Sequence, residues 1–203
     1  MINLQINGRC VQAKPGTTIL QLARKHDIVI PTLCHLPGRE VRSVCRLCVV
    51  EITGQERLLP ACSTAVAAGM VVHTHSQKCI HTRQVLLEFI IAEHGALHTL
   101  SPELRALAAE LGVTQARFAL PPQHTPDCNR HGSDYIRLRQ EKCIHCDRCI
   151  VACRDQQVIH RAGRGAAIQL TFGNHNAALP ETNCTSCGDC VAVCPSGALG
   201  EHG

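Results

Sequence analysis

Twelve of the fifteen cysteines in this 203-residue chain fall into three sets of four, and that grouping limits what the chain can build. The first set is Cys34, Cys45, Cys48 and Cys62. The second runs Cys143-x2-Cys146-x2-Cys149-x3-Cys153, and the third repeats it as Cys184-x2-Cys187-x2-Cys190-x3-Cys194, closed by Pro195. A tight turn over a two-residue gap points successive sulfurs inward, so they can wrap the corner of a cubane. Each set therefore has the spacing of an iron–sulfur cluster site.

Other uses of so many cysteines fit less well. A disulfide-rich secreted protein is expected to start with a basic stretch and an apolar run, and Met1 to Gly8 has neither. A chain of this length also has no need of covalent stapling. Zinc takes Cys-x2-Cys pairs, but zinc sites do not usually use three Cys steps closed by a fourth cysteine after x3. The expected compartment is the reducing cytoplasm. Only 2% of the residues are aromatic, so the core leans on Val, Ile, Leu, Ala and the inorganic groups themselves. Metal binding then becomes part of folding, and the metal-free chain is expected to fold poorly beyond about residue 130.

The formal net charge of +4 counts every cysteine as neutral. Three four-thiolate clusters would lower it by about six, leaving the loaded protein near neutral. No basic stretch is interleaved with aromatics, so no nucleic-acid partner is expected. Val85 to Ala92 is the longest apolar run; it is short and carries Glu88, so no membrane span is expected.

Residues 1–76 read as a small β-rich domain. Ile2 to Ile6 alternates as a half-buried strand should, Asn7-Gly8 is a hairpin turn, and Cys10 to Ala13 returns. Thr17 or Thr18 can cap a helix carrying Ile19, Leu20, Leu22 and Ala23. A cysteine loop follows from Pro31 to Cys48, then strands at Val49–Ile52 and Met70–His73. That order is the order of a β-grasp ferredoxin.

The words Pro31-Thr32-Leu33-Cys34-His35 and Ser43-Val44-Cys45-Arg46-Leu47-Cys48-Val49-Val50-Glu51 carry a closer resemblance. With ten residues between Cys34 and Cys45, they resemble the [2Fe–2S] domain that opens complex I's large peripheral iron–sulfur subunit and [FeFe]-hydrogenases. The resemblance implies a [2Fe–2S] cluster on Cys34, Cys45, Cys48 and Cys62.

Residues 77–133 form a helical segment and linker. The pattern predicts a helix over 78–93 with Ile80, Val85, Leu86, Phe89, Ile90 and Leu87 as its buried face. A second helix is predicted from Glu103 to Leu111, with Ser101 as cap, Pro102 in the first turn and Gly112 as stop. In the family just named this region holds a further [4Fe–4S] cluster on one His and three Cys, spaced His-x3-Cys-x2-Cys-x5-Cys. Counting forward from His94 reaches His98, Ser101 and Leu107, so the thiolates are gone and this cluster is expected to be absent. His94 and His98 read as a surface pair. The prolines Pro121, Pro122 and Pro126 mark residues 113–133 as a linker.

Residues 134–203 resemble a two-cluster bacterial ferredoxin, with a strand at Ile136 to Leu138 and two expected [4Fe–4S] clusters. In such ferredoxins the fourth Cys of each repeat ligates the other cluster. One cube is thus expected on Cys143, Cys146, Cys149 and Cys194, and the other on Cys184, Cys187, Cys190 and Cys153. Short helices are predicted over Ile150–Asp155 and Val191–Val193. Arg154 stands where the other repeat has Pro195 and is expected to raise the potential of the second cube. Arg161 to Gly165 reads as a solvated turn, a docking patch for an acidic partner. Cys10 and Cys79 read as small buried hydrophobes, and Cys128 with His131 as half a metal site lacking a partner.

The fold class is thus α+β: a β-grasp [2Fe–2S] domain, a short helical middle and a two-cluster ferredoxin-like domain. No glycine loop suited to NAD or flavin follows a strand, and no catalytic set stands out. Over nearly its whole length the chain resembles the small iron–sulfur subunit of the diaphorase module in NAD(P)-linked [NiFe]-hydrogenases and related formate dehydrogenases. Ending eight residues after Pro195, it is expected to be a stand-alone electron-transfer subunit. The resemblance implies a flavoprotein handling NAD(P)H and a hydrogenase or formate dehydrogenase catalytic subunit as partners. Two rival readings are the iron–sulfur subunit of a succinate dehydrogenase or fumarate reductase-like membrane complex and a cluster-based redox sensor or scaffold. The first spaces its cysteine sets further apart; the second needs an output domain.

Overall fold

Strand β1 (Ile2–Ile6) alternates as the sequence requires, with Leu4 and Ile6 buried and Asn3 and Gln5 exposed. Asn7 and Gly8 both take positive φ (49° and 78°), the two-residue turn whose twist matches the strands it joins. Strand β2 (Arg9–Ala13) returns antiparallel, Ile2 facing Ala13 and Ile6 facing Arg9. Val11 and Ala13 point inward, which turns Cys10 out to solvent rather than into the core as expected.

This computed structural model describes residues 1–94, 96–119, 132–153, 157–173 and 177–201. Two compact units divide it: Met1–His35 with Val41–Leu86, and Leu36–Glu40 with Leu87–Gly203. In the first, Thr18 caps α1 (Ile19–Lys25) with a full capping box. Its hydroxyl accepts from the Gln21 N–H (3.2 Å), and the Gln21 side chain accepts from the Thr18 N–H (2.9 Å). Strands β3 (Val49–Ile52), β4 (Leu59–Pro60) and β5 (Val71–His73) complete a sheet of order β2-β1-β5-β3-β4. Only β1 and β5 run parallel. Ile19, Leu20, Leu22 and Ala23 join Leu4, Ile6, Val50 and Val72 in one aliphatic core that also takes in Cys48 and Cys62. The mostly antiparallel sheet with one helix is the β-grasp arrangement. Strand β4, two residues long and ending in proline, has no counterpart in the sequence reading.

Helix α2 (Gln77–His94) has the expected bounds to within one residue, but of the expected face Leu87 alone is fully buried. Its fully buried positions are Cys79, Arg83 and Leu87, with Ile91 and Glu88 nearly so, whereas Phe89 is 44% exposed and Ile80, Val85, Leu86 and Ile90 are half-buried. The buried stripe contains two charged residues, each with its charge satisfied. Arg83 donates to three backbone carbonyls. The Glu88 carboxylate accepts two bonds from Arg117 Nε (2.8 and 2.9 Å). A hydrophobicity pattern cannot show such a face.

Helix α3 (Pro102–Glu110) follows its prediction closely: Ser101 Oγ accepts from the Leu104 N–H, and Gly112 takes φ +68° just past the end. Residues 113–119 carry no regular element, yet they are not a loose linker. Val113 is buried, Arg117 binds Glu88, and the Phe118 ring lies 4.7 Å from that of Phe89. Residues 120–131 of the expected linker, with Cys128 and His131, lie outside the described residues, as does Arg154.

Two short ladders frame the remaining cysteines. Strand β6 (Ile136–Leu138) pairs antiparallel with β9 (Leu199–Glu201), and β7 (Ile159–Ala162) with β8 (Gln169–Phe172). Between them lie α4 (Arg148–Ala152) and α5 (Asp189–Ala192), which start two residues earlier than predicted, so the third cysteine of each repeat is already helical. Their core joins Ile136, Leu138, Ile159, Phe172 and Leu199 to Cys143, Cys149 and Cys190. Arg161 is no solvated patch: half-buried, it donates to the His145 carbonyl and to the Asp147 carboxylate. Among the described residues no helix is long and apolar enough to cross a membrane.

Candidate metal centres

The β3–β4 ladder explains how cysteines fourteen positions apart meet. Val49 pairs with Pro60, and the Ala61 N–H donates to the Cys48 carbonyl (3.0 Å), which sets Cys62 next to Cys48. Cys34 reaches Cys45 across the long loop, its N–H 3.4 Å from the Cys45 sulfur. Left-handed backbone at Ser43 (φ 54°) and Arg46 (φ 59°) curls the loop around this point.

The thiols thus stand as two bonded pairs. Hydrogen bonding to Cys45 pulls Cys34 down to about 6 while pushing Cys45 up, and Cys48 and Cys62 behave alike, with Cys62 brought down to about 6. A two-iron cluster takes two protein sulfurs on each iron, and the two pairs fit that donor set. Ser43 Oγ lies 3.3 Å from the Cys62 sulfur and helps hold that thiol low. Sequence reading missed Ser43, whose only signal is its place two residues before Cys45.

The repeated motifs share one backbone device. His145 (φ 51°) and Asp147 (φ 62°) flank Cys146 in left-handed conformation, and Ser186 (φ 55°) and Gly188 (φ 79°) flank Cys187 in the same way. Alternating hand coils the chain tightly, turning three sulfurs toward one side. N–H groups point at sulfur in this unit as well: Ser186 N to Cys184 Sγ and Leu199 N to Cys194 Sγ, both at 3.4 Å.

Cysteines of the two repeats stand near one another. Cys194 stands among the charges that raise Cys143, Cys146 and Cys149, whereas Cys190 feels Cys153, Cys184 and Cys187. Burial is the first cause in all four cases, lifting Cys143 to about 12, Cys146 to about 11 and Cys190 to about 12, with Cys149 well above its ordinary value. Cys153, Cys184, Cys187 and Cys190 line one apolar pocket with Val158, Phe172 and Leu179. Four sulfurs edging one pocket are the donor set that a cubane takes. Among the described residues no group of three or more His, Cys, Asp or Glu side chains is placed to hold a single metal ion.

The two groups differ in depth. Cys143, Cys146 and Cys149 are all buried, whereas Cys187 is exposed and Cys153 and Cys184 are half-buried. Arg161 braces the deeper group through His145 and Asp147, and Arg148 of α4 pairs with Glu103 of α3 (3.0 Å).

The four positions counted for a His-ligated cluster have separate surroundings. His94 Nδ1 lies 2.9 Å from the Glu141 carbonyl oxygen, and His98 is exposed on a 3-10 turn, Leu97–Thr99. Ser101 caps α3, and Leu107 is half-buried on it.

Comparison with known proteins agrees with both kinds of site. Residues 1–77 match the 2Fe-2S iron-sulfur cluster binding domain, and residues 142–198 the 4Fe-4S dicluster domain. The whole chain is 35% identical to the NADP-reducing hydrogenase subunit HndD of Solidesulfovibrio fructosivorans, of which it spans 36%. It is 29% identical to the NAD-reducing hydrogenase HoxS subunit gamma of Cupriavidus necator, over 98% of this chain and 86% of that one. A chain of the crystal structure of NAD+-reducing [NiFe]-hydrogenase in the H2-reduced state superposes with a TM-score of 0.83 at 28% identity, covering 98% of this chain and 87% of its own.

Proposed function

We propose that this iron–sulfur protein, a homologue of NAD(P)-linked hydrogenase subunits, relays electrons within a multisubunit oxidoreductase through one [2Fe–2S] and two [4Fe–4S] clusters. The observation that supports the reading is that Cys153 lines one pocket with Cys184, Cys187 and Cys190, while Cys194 lies near Cys143, Cys146 and Cys149. Clusters bound there would take up and pass on single electrons without bonding to a substrate.

The chain's own part is to hold, seal and tune. Cys34, Cys45, Cys48 and Cys62 hold the first centre; Cys143, Cys146, Cys149 and Cys194 the second; Cys184, Cys187, Cys190 and Cys153 the third. Phe172, Val158 and Leu179 keep water from the third, and N–H groups aimed at sulfur favour its negative charge. With Cys187 at the surface, the third centre is the one that meets an outside electron carrier. The His94 position takes no fourth cluster in this reading.

The partners we propose are a flavoprotein handling NAD(P)H and a hydrogenase or formate dehydrogenase catalytic subunit, in the cytoplasm. The similarity to HoxS subunit gamma, over most of both chains, supports a separate subunit of that kind. Isolation of the native complex under anaerobic conditions tests this. It should bring down a flavoprotein and yield about ten irons per copy of this chain, two plus four plus four. A monomeric protein, or one with about fourteen irons, would contradict the partners or the cluster count respectively.

A further inference from the structure

Arg83 sits on α2 with no exposed surface, an unusual place for a guanidinium. Its Nε donates to the Leu47 carbonyl (3.0 Å), and Nη2 to the carbonyls of Val49 and Thr74 (2.9 Å each). Leu47 and Val49 flank Cys48, so two of the three bonds grip the backbone on either side of one ligand cysteine. The third ties that point to the end of β5. We propose that Arg83 is a positioning residue of the [2Fe–2S] centre, fixing the Cys48 segment and, through its buried charge, making that centre easier to reduce.

The physical argument has two parts. A planar guanidinium offers donors in fixed directions, so it can hold three carbonyls in one arrangement where a flexible ammonium on its stem cannot. The Cys48 sulfur is then aimed by backbone that has no freedom to turn. The second part is charge. A cation removed from water acts through a low dielectric, and a four-thiolate cluster is an anion that gains one more negative charge on reduction. The reduced form therefore benefits more than the oxidised form, and the potential rises. Exposed cations such as Arg46, one residue after Cys45, act through solvent and count for less. A buried cation of this kind also links cluster loading to folding, since the anionic cluster offsets part of the cost of its desolvation.

This inference rests on the [2Fe–2S] centre alone and not on which enzyme complex the chain serves; co-purification could fail and leave it intact. The experiment is an EPR-monitored redox titration of the full, cluster-loaded chain, comparing wild type with Arg83→Gln, Arg83→Lys and the exposed control Arg9→Gln. The two cubanes serve as internal references. Arg83→Gln should lower the [2Fe–2S] midpoint while leaving both cubanes where they were, Arg83→Lys should restore most of the loss, and Arg9→Gln should match wild type. Failure of Arg83→Gln to hold the [2Fe–2S] cluster while both cubanes still assemble would equally support a role at Cys48. A Gln variant with the wild-type potential and line shape would overturn the proposal, and a Lys variant no different from Gln would overturn the role of charge. Loss of all three clusters together in both variants would reduce Arg83 to a general folding residue and overturn it as well.

Discussion

Cys153 closes the first cysteine repeat but stands beside Cys190, a member of the second, and the two line one apolar cavity. If the cubes follow this grouping, each repeat depends on the other for its fourth sulfur. Cys153→Ser should therefore disturb the EPR signal of the group containing Cys187 and leave the Cys143 group intact. Cys194→Ser should do the reverse. Each is expected to remove one to four of the irons in its own group, as measured by iron analysis with low-temperature EPR. Loss from the neighbouring group in its place would mean that each repeat ligates its own cube.

Depth separates the two groups in a second way. Cys187 is exposed, whereas Cys143, Cys146 and Cys149 are all buried. Small oxidants should reach the outer group first. When the reduced, loaded protein is mixed with limiting ferricyanide, the signal of the group lost in Cys153→Ser should fade before that of the other. Simultaneous fading, after allowing for electron exchange between the cubes, would remove the asymmetry.

These relationships were unequally legible in the sequence. Asn7-Gly8, Thr18 and Ser101-Pro102 act on their own neighbourhood, and each lies where local chemistry demands. The cysteine sets were legible because ligand spacing is a geometric constraint on a short stretch of backbone. The face of α2 was not. Arg83 and Glu88 look like solvent residues until the carbonyls of Leu47, Val49 and Thr74 and the side chain of Arg117 are in place around them. Arg161 was misread for the same reason, its partners His145 and Asp147 lying more than a dozen residues away. Strand β4 has only two residues and exists because Val49 and Val50 offer it a partner. Long-range satisfaction of polar groups is what a single sequence conceals.

Gln140 shows that kind of satisfaction in a form open to measurement. It is 2% exposed, and its amide donates to the Leu170 carbonyl while accepting from the Leu170 N–H. The residue stands three positions before Cys143 and ties the entrance of that loop to β8. Gln140→Leu keeps the bulk but leaves both Leu170 groups without this partner, at a cost of about 1–3 kcal/mol. Urea titration of the loaded protein, followed by far-UV circular dichroism and visible absorption, should show an earlier midpoint for both signals. An unchanged midpoint would mean that water replaces the amide.

Cluster loading should release protons, and the two units should differ in how many. Burial lifts Cys143 to about 12 and Cys146 to about 11 from an ordinary value of 9.0, and raises Cys149 as well, so these remain thiols in the metal-free protein at neutral pH. Each must lose its proton to bind iron. In the first set Cys34 and Cys62 lie near 6 and are largely ionised already, so Cys45 and Cys48 supply most of the release. Iron uptake by the 132–201 segment should therefore strengthen more steeply with rising pH than uptake by the β-grasp unit. The metal-free form behaves oppositely. Raised folded-state values mean that the folded chain keeps protons which the unfolded chain gives up above about pH 9, so this contribution to stability is complete below pH 9 and fades toward pH 12. Reconstitution followed by calorimetry in two buffers of different ionisation enthalpy, at pH 6.5 and 8.5, measures the protons released. A urea titration of the stripped protein at pH 8 and 10 checks the opposite slope. Equal uptake at both pH values, or a stripped protein that is firmer at pH 10, would show that these thiols are not held protonated by burial.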